Sequence, residues 1–239
     1  GHGGRRMILG IETAGTLLGV ALATEQRVLA AVTVNRKHAH DELLVPLCDD
    51  VLRIAGITRT DLRGVAVSAG PGSYTGLRIG MAAAKGIAAA LNIPLATIPT
   101  ADAVAHIVSR FLRDEGRQLV VAFDARNEEV YMATYRLHAG EVVREHPVSA
   151  LSTSEAAALV QPHAVLTGDG AELLARHCAT GATVLPGHRD AWSGEAVALL
   201  GERAITRGDI ADRAACEPLY LREFPVTRPR SAVNVPRIP

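Results

Sequence analysis

The order of predicted secondary-structure elements runs through this chain twice, and that repetition constrains the fold more than any single motif does. In the first half, apolar runs and turn residues predict strands over 7–12, 17–24, 28–34, 64–68 and 95–98, and helices over 38–55, 77–91 and 101–113. The second half repeats this order, from a strand over 118–124 to a helix over 193–207. The repeated order βββαβαβα predicts two α/β lobes, each a mixed sheet with helices on it, with a cleft between them.

A glycine-rich turn follows a buried strand in both halves. Gly70, Gly72 and Gly76 form the first turn, and the segment 168–170 forms the second. A strand, a glycine turn and a helix start can direct backbone N–H groups at an anion, and Ser73 is placed to cap the helix. The spacing is G-x-G-x-x-x-G, without the Lys-Ser/Thr of a Walker loop. The residues alone therefore leave two interpretations open, a phosphate site and a tight structural turn.

The helix that follows this turn carries very little side-chain bulk. Its residues include Gly80, Ala84 and Ala88, which recur at helical spacing. Such a helix must pack closely against a neighbour. The sequence does not decide whether that neighbour is its own sheet or another chain.

Composition argues against several classes of function. The formal net charge is zero, with 25 basic and 25 acidic residues, so a broad nucleic-acid footprint is not expected. Three distant cysteines suit a reducing cytosol and provide no metal framework, and no apolar run reaches membrane-spanning length. His38 and His40 are two apart on a predicted helix, so their side chains point to different sides and we expect no shared metal.

The two ends of the chain are expected to lie outside the folded lobes. Residues 1–6 are interpreted as a tag or ragged start before Met7. Residues 223–239 are Pro- and Arg-rich and are predicted to be a flexible tail. Their arginines could contact a nucleic acid weakly, but a solvated stretch is the simpler interpretation.

Four segments together resemble one family. They are Ile11-Glu12-Thr13-Ala14, the run from Gly70 to Gly80, Asp124-Ala125-Arg126, and the run from Glu217 to Arg222. With the duplicated element order, they resemble the TsaB family, also called YeaZ, within the superfamily of acetate kinase, sugar kinases, Hsp70 and actin. The resemblance covers about residues 7–222 and implies an actin-like ATPase (RNase H-like) fold. Its implied lobes are residues 7–114 and 115–222.

The resemblance implies a non-catalytic role in the cytoplasm. Members of the family pair with the catalytic subunit TsaD, a paralogue, and work with TsaE, a small P-loop ATPase. The complex transfers a threonylcarbamoyl group to N6 of adenosine 37 in tRNA, so tRNA is an indirect partner of this chain. When alone, the chain is expected to form a homodimer, and no membrane partner is expected.

The resemblance also implies that the first-lobe helices, about 38–55 and 75–91, carry the partner surface. The residues expected on that surface are Leu43, Leu44, Leu47, Leu77, Arg78, Met81, Ala84, Lys85 and Ala88. On this prediction, Ala84→Trp abolishes complex formation without unfolding the chain.

The first turn and the glycine turn resemble a vestigial nucleotide site. Its residues are Glu12, Thr13, Gly70, Gly72 and Ser73. Kinases of the superfamily use an Asp at the first turn, partly for magnesium, whereas Glu12 is one methylene longer. No cofactor or metal is firmly expected, and ATP or ADP at the interface of the complex remains an option. The alternative function is a small-molecule kinase or ATPase of the same superfamily. This alternative predicts that the isolated chain binds ATP and that Glu12→Ala abolishes the binding.

Overall fold

The computed structural model describes residues 7–24, 27–36, 38–112, 116–138, 141–178, 181–186 and 192–221. The sequence predictions for residues 1–6 and 223–239 lie outside these ranges.

The two halves have the same element order. The first half contains β1 (Met7–Glu12), β2 (Leu18–Thr24), β3 (Arg27–Val34), α1 (Ala39–Ala55), β4 (Leu62–Gly70), α2 (Tyr74–Leu91), β5 (Leu95–Pro99) and α3 (Thr100–Ser109). The second contains β6 (Gln118–Arg126), β7 (Glu129–His138), β8 (Glu141–Ser152), α4 (Thr153–Ala158), β9 (Val165–Thr167), α5 (Ala171–Ala175), β10 (Thr183–Val184) and α6 (Gly194–Arg207). The predicted repeat of βββαβαβα is therefore confirmed.

Each half forms a five-stranded mixed sheet, and the two sheets have equivalent strand orders. The orders are β3-β2-β1-β4-β5 and β8-β7-β6-β9-β10. In both sheets the first three strands pair antiparallel, and the later strands join in parallel on the other side of the first. The central strands β1 and β4 are almost wholly buried, since helices cover both faces of the first sheet. We call the first sheet with its helices the first lobe, and the second sheet with α4 and α5 the second lobe.

The last helix belongs with the first lobe rather than the second. Helix α6 packs on β1, β2 and β4, on the face of the sheet opposite α1 and α2. Gly10 permits this approach, because a Cβ there would collide with the backbone of Gly194 and Ala198. The predicted second lobe of residues 115–222 is therefore too long at its end. Because Gly10 has no side chain, α6 can pack on β1, a strand that lies far earlier in the sequence than α6 does.

The residues after α6 also return to the first lobe. The Ala211 N–H donates to the Leu95 carbonyl at 2.8 Å, and the Leu219 N–H donates to the Ala69 carbonyl at 2.6 Å. These bonds place the segment 209–221 beside β5, the end of β4 and α2. The segment ends next to the glycine turn, where the Tyr220 ring lies 5.1 Å from the Tyr74 ring.

Candidate partner surface and interlobe cleft

The acid at the end of β1 is directed into the protein. Glu12 is fully buried, and its Oε1 accepts hydrogen bonds from the Ala14 N–H at 2.6 Å and the Ser68 hydroxyl at 2.9 Å. Its Oε2 has no hydrogen-bond partner among the described residues. Burial raises the pKa of Glu12 to about 7, although hydrogen bonds from Ala14, Ser68 and the Thr13 backbone oppose the rise. Glu12 therefore holds the first turn in place through its Oε1.

The glycine turn packs against that first turn. The Ser73 N–H donates to the Ala14 carbonyl at 2.7 Å, and the Gly76 N–H donates to the Ser73 hydroxyl at 3.2 Å. A Cβ at Gly72 or Gly76 would collide with the carbonyl oxygens of the first turn. Ser73 is the N-cap of α2, as predicted. Because these donors are already engaged within the chain, the geometry favours the tight structural turn over a phosphate site.

A cleft of about 620 Å³ separates the two lobes. First-lobe turns line one wall, through residues 14–16 and 72–75, and second-lobe residues 123–126, Tyr131 and Asp169 line the other. Trp192 stacks on Phe123 with 4.8 Å between ring centroids, and both side chains are buried. Glu12 is absent from the described lining, so the acid predicted for a nucleotide site does not face the cleft.

The turn after β6 stabilises itself rather than joining the lobes. The Asp124 N–H donates to Asp169 Oδ1 at 3.1 Å, and Asp124 Oδ1 accepts from the Arg126 N–H at 2.7 Å. Both hydrogen bonds lie within the second lobe.

A different set of side chains makes a polar link between the lobes. Asp102 on α3 accepts a hydrogen bond from the Tyr135 hydroxyl at 2.7 Å and lies 3.2 Å from Arg144 Nη1. Burial and the adjacent carboxylate raise the pKa of Tyr135, so its hydroxyl stays a donor. Sequence reasoning missed this link because the three residues share no motif and lie on separate elements.

Most residues predicted for the partner surface face the core. Six of the nine are buried in the first lobe: Leu44, Leu47, Leu77, Met81, Ala84 and Ala88. Leu43 and Lys85 are half-buried, and Arg78 is exposed beside the Tyr74 ring. The buried face of α2 packs mainly against β4, so the close neighbour of these small residues is their own sheet. Ala84→Trp would force a large ring into a full core, and the prediction that it spares the fold is wrong.

The exposed face of the same helices is also small or apolar. On α2 the outward small residues, which we call the α2 strip, are Ala82, Gly86, Ala89 and Ala90. A Cβ at Gly86 would have no atom within 4 Å. On the neighbouring α1, Val45 and Ile54 are exposed by 58% and 59%. Helical spacing could not separate the two faces of α2, because small residues occupy both.

The fold and its cleft define a class of protein. The chain has two lobes with equivalent mixed sheets, an acid at the end of the first strand and a glycine turn after the fourth strand. This arrangement is the actin-like ATPase fold. The solved structure of YeaZ from Pseudomonas aeruginosa has this fold, with a TM-score of 0.73 and 25% identity over 90% of this chain and 100% of that one.

Comparison with known sequences then identifies the family. The model for "TsaD: tRNA N6-adenosine threonylcarbamoyltransferase" matches residues 27–172, more than half of the chain, and the chain belongs to that family. Within it, the chain is 33% identical over 129 residues to the tRNA threonylcarbamoyladenosine biosynthesis protein TsaB of Escherichia coli. It is 34% identical over 133 residues to the protein of the same name from Bacillus subtilis. The matches cover 54% and 56% of this chain, and the chain spans about half the length of these curated relatives.

Two further searches concern the described residues only. Within them, no three His, Cys, Asp or Glu side chains are grouped so that they could hold a metal ion. No helix of that part of the chain is both long enough and apolar enough to cross a membrane.

Proposed function

We propose that this chain is a non-catalytic subunit of tRNA threonylcarbamoyladenosine biosynthesis. In this role it binds and activates a TsaD-like catalytic subunit, which transfers the threonylcarbamoyl group to N6 of adenosine 37 in tRNA. The family match and the TsaB relatives support the pathway. The proposal places the chain in the cytoplasm and gives it tRNA as an indirect partner.

The observation that carries the scaffold role is the α2 strip. Its exposed Ala and Gly side chains allow the backbone of a partner helix to approach closely, as small residues do at helix crossings in membranes. A TsaD-like paralogue would present an equivalent helix pair, and two copies of this chain could pair through the same face by twofold symmetry. We propose that such a homodimer gives way to the heterodimer and that a TsaE-like ATPase joins the assembled pair.

The first turn supports a role without independent catalysis. A kinase needs an ionised carboxylate and free backbone donors that face the substrate. Here Glu12 is buried against its own turn, and the donors of Ser73 and Gly76 are engaged within the chain. These contacts support the scaffold role over the alternative, a small-molecule kinase or ATPase. We assign no cofactor to the isolated chain, and ATP or ADP at the partner interface would need groups from both subunits.

The test is to place bulk on the α2 strip without disturbing the core. Gly86→Arg projects a long charged side chain into open space and replaces glycine with a good helix former, so the fold should be retained. The matched control is Ala158→Arg, at an exposed small residue of α4 in the second lobe. Calorimetric titration with the TsaD-like subunit should show at least a tenfold loss of affinity for Gly86→Arg only. Unchanged affinity of Gly86→Arg would refute this surface as the binding site.

A further inference from the structure

A second cavity, of about 420 Å³, lies between the lobes and shares no lining residue with the cleft. Helices α3 and α6 form one side, and the β7–β8 hairpin forms the other. The charged and imidazole groups of its lining are Asp102, His106, Arg110, Glu141, Arg144 and Arg203. The cavity is also remote from the α2 strip, since no residue of α1 or α2 lines it.

The two acids of this cavity are already partly neutralised. Asp102 accepts from the Tyr135 hydroxyl and from Arg144, whose charge balances that of the carboxylate. Glu141 is 71% exposed and lies 3.8 Å from Arg203 Nη1, which is a long ion pair. The pair leaves most of the Arg203 donors available for another acceptor.

Two further basic groups in the cavity are uncommitted. His106 and Arg110 are one helical turn apart, and neither side chain makes a hydrogen bond or ion pair within the described part of the chain. Burial, followed by the positive charges of Arg203 and Arg110, lowers the pKa of His106, and Glu141 opposes this only in part. Within the described residues, the imidazole therefore lies close to two positive charges, those of Arg203 and Arg110.

We infer that this cavity binds a phosphate group, with Arg110 and Arg203 as its charged donors and His106 as a third donor. The planar guanidinium matches the oxygens of a phosphate with paired N–H groups. The cavity of about 420 Å³ has room for more than an isolated phosphate, and the ligand class that we infer is a phosphate ester. Its source is either a free nucleotide or the backbone of an RNA. The inference does not rest on the proposed function.

The experiment is an NMR titration of the histidine side chains of the full chain with inorganic phosphate at constant ionic strength. The His106 resonance is identified by its loss in His106→Gln. Phosphate should shift this resonance saturably and raise the pKa of His106 by about 1. Saturable binding that leaves the His106 resonance unmoved would overturn the assignment to this cavity, as would the absence of saturation.

Two variants test the donors. Arg110→Gln should weaken phosphate binding about tenfold, because a charged hydrogen bond is lost. Arg53→Gln is the matched control, since Arg53 is an exposed arginine on α1 that pairs only with Asp50 in the described contacts. Equal affinity in Arg110→Gln and Arg53→Gln, with intact amide spectra for both, would contradict the inference.

The source of the phosphate is resolved by competition. A mononucleotide such as AMP that displaces inorganic phosphate at lower concentration identifies a free nucleotide. An RNA hairpin that displaces inorganic phosphate identifies an RNA backbone as the source. The affinity for that hairpin should then depend less steeply on salt in Arg110→Gln, by the amount expected for about one phosphate contact. Failure of both to compete would overturn the assignment to a phosphate ester.

Discussion

Glu12 is the residue whose environment departs most from what its type would suggest. Its carboxyl group stands at the end of a central strand, and it is fully enclosed. Its Oε1 accepts the Ala14 N–H of the first turn, and that turn in its own right accepts the Ser73 N–H of the glycine segment. The residue thus links the end of β1 to the start of α2.

The buried carboxyl group predicts a pH-dependent stability. Its pKa of about 7 in the folded chain exceeds the ordinary value of 4.5, so the folded state binds the proton more tightly than the unfolded state does. The free energy of unfolding should therefore fall as pH rises from about 4.5 through 7, by up to about 3 kcal/mol. Urea unfolding of wild type and Glu12→Gln between pH 5 and 8 measures the effect. In Glu12→Gln, the free energy of unfolding should fall much less over this pH range. Parallel pH profiles for wild type and Glu12→Gln would contradict the account.

Two of the three glycines of α2, Gly80 and Gly86, predict opposite effects on stability, because Gly80 lies on the buried face of the helix and Gly86 on the exposed face. A Cβ at Gly80 would collide with the Thr13 side chain, whereas a Cβ at Gly86 would meet nothing. Gly86→Ala should raise the free energy of unfolding by about 0.5–1 kcal/mol through helix propensity. Gly80→Ala should lower it by about 1–3 kcal/mol, because Thr13 has to move. Chemical denaturation measures both, and the same sign for both would show that the assignment of the faces is wrong.

The helices and strands could be predicted well because each has a clear local signal. Apolar strands ended at acids or glycines, and helix ends carried caps such as Ser73 and the left-handed Gly56. The face of α2 could not be predicted, since a helix of small residues has little contrast between its sides. The docking of α6 on β1 could not be predicted either, because Gly10 and Ala198 are far apart in sequence. The low contrast between the faces of α2 is why buried residues such as Ala84 and Ala88 were predicted for the partner surface.

At the scale of the whole molecule, Asp102 joins the lobes across α3, β7 and β8. Tyr135→Phe removes a buried hydroxyl that donates to this carboxylate, while Arg144 still pairs with it. We expect a loss of about 1–2 kcal/mol in the free energy of unfolding. Tyr131→Phe, at a half-buried tyrosine on the cleft wall of the same strand, is the control and should cost less. Equal losses of unfolding free energy for Tyr135→Phe and Tyr131→Phe in urea denaturation would show that the hydrogen bond from Tyr135 to Asp102 adds no stability of its own.

The chain as a whole is proposed to act through a surface and not through a reaction of its own. That claim is tested most directly by reconstitution with omission. TsaD-like, TsaE-like and adenylate-forming proteins are mixed with ATP, threonine, bicarbonate and tRNA, with or without this chain, and modified adenosine is quantified. The account predicts modification only when the chain is present, full activity with Glu12→Gln at pH 7, and little activity with Gly86→Arg. Full modification without the chain would contradict it.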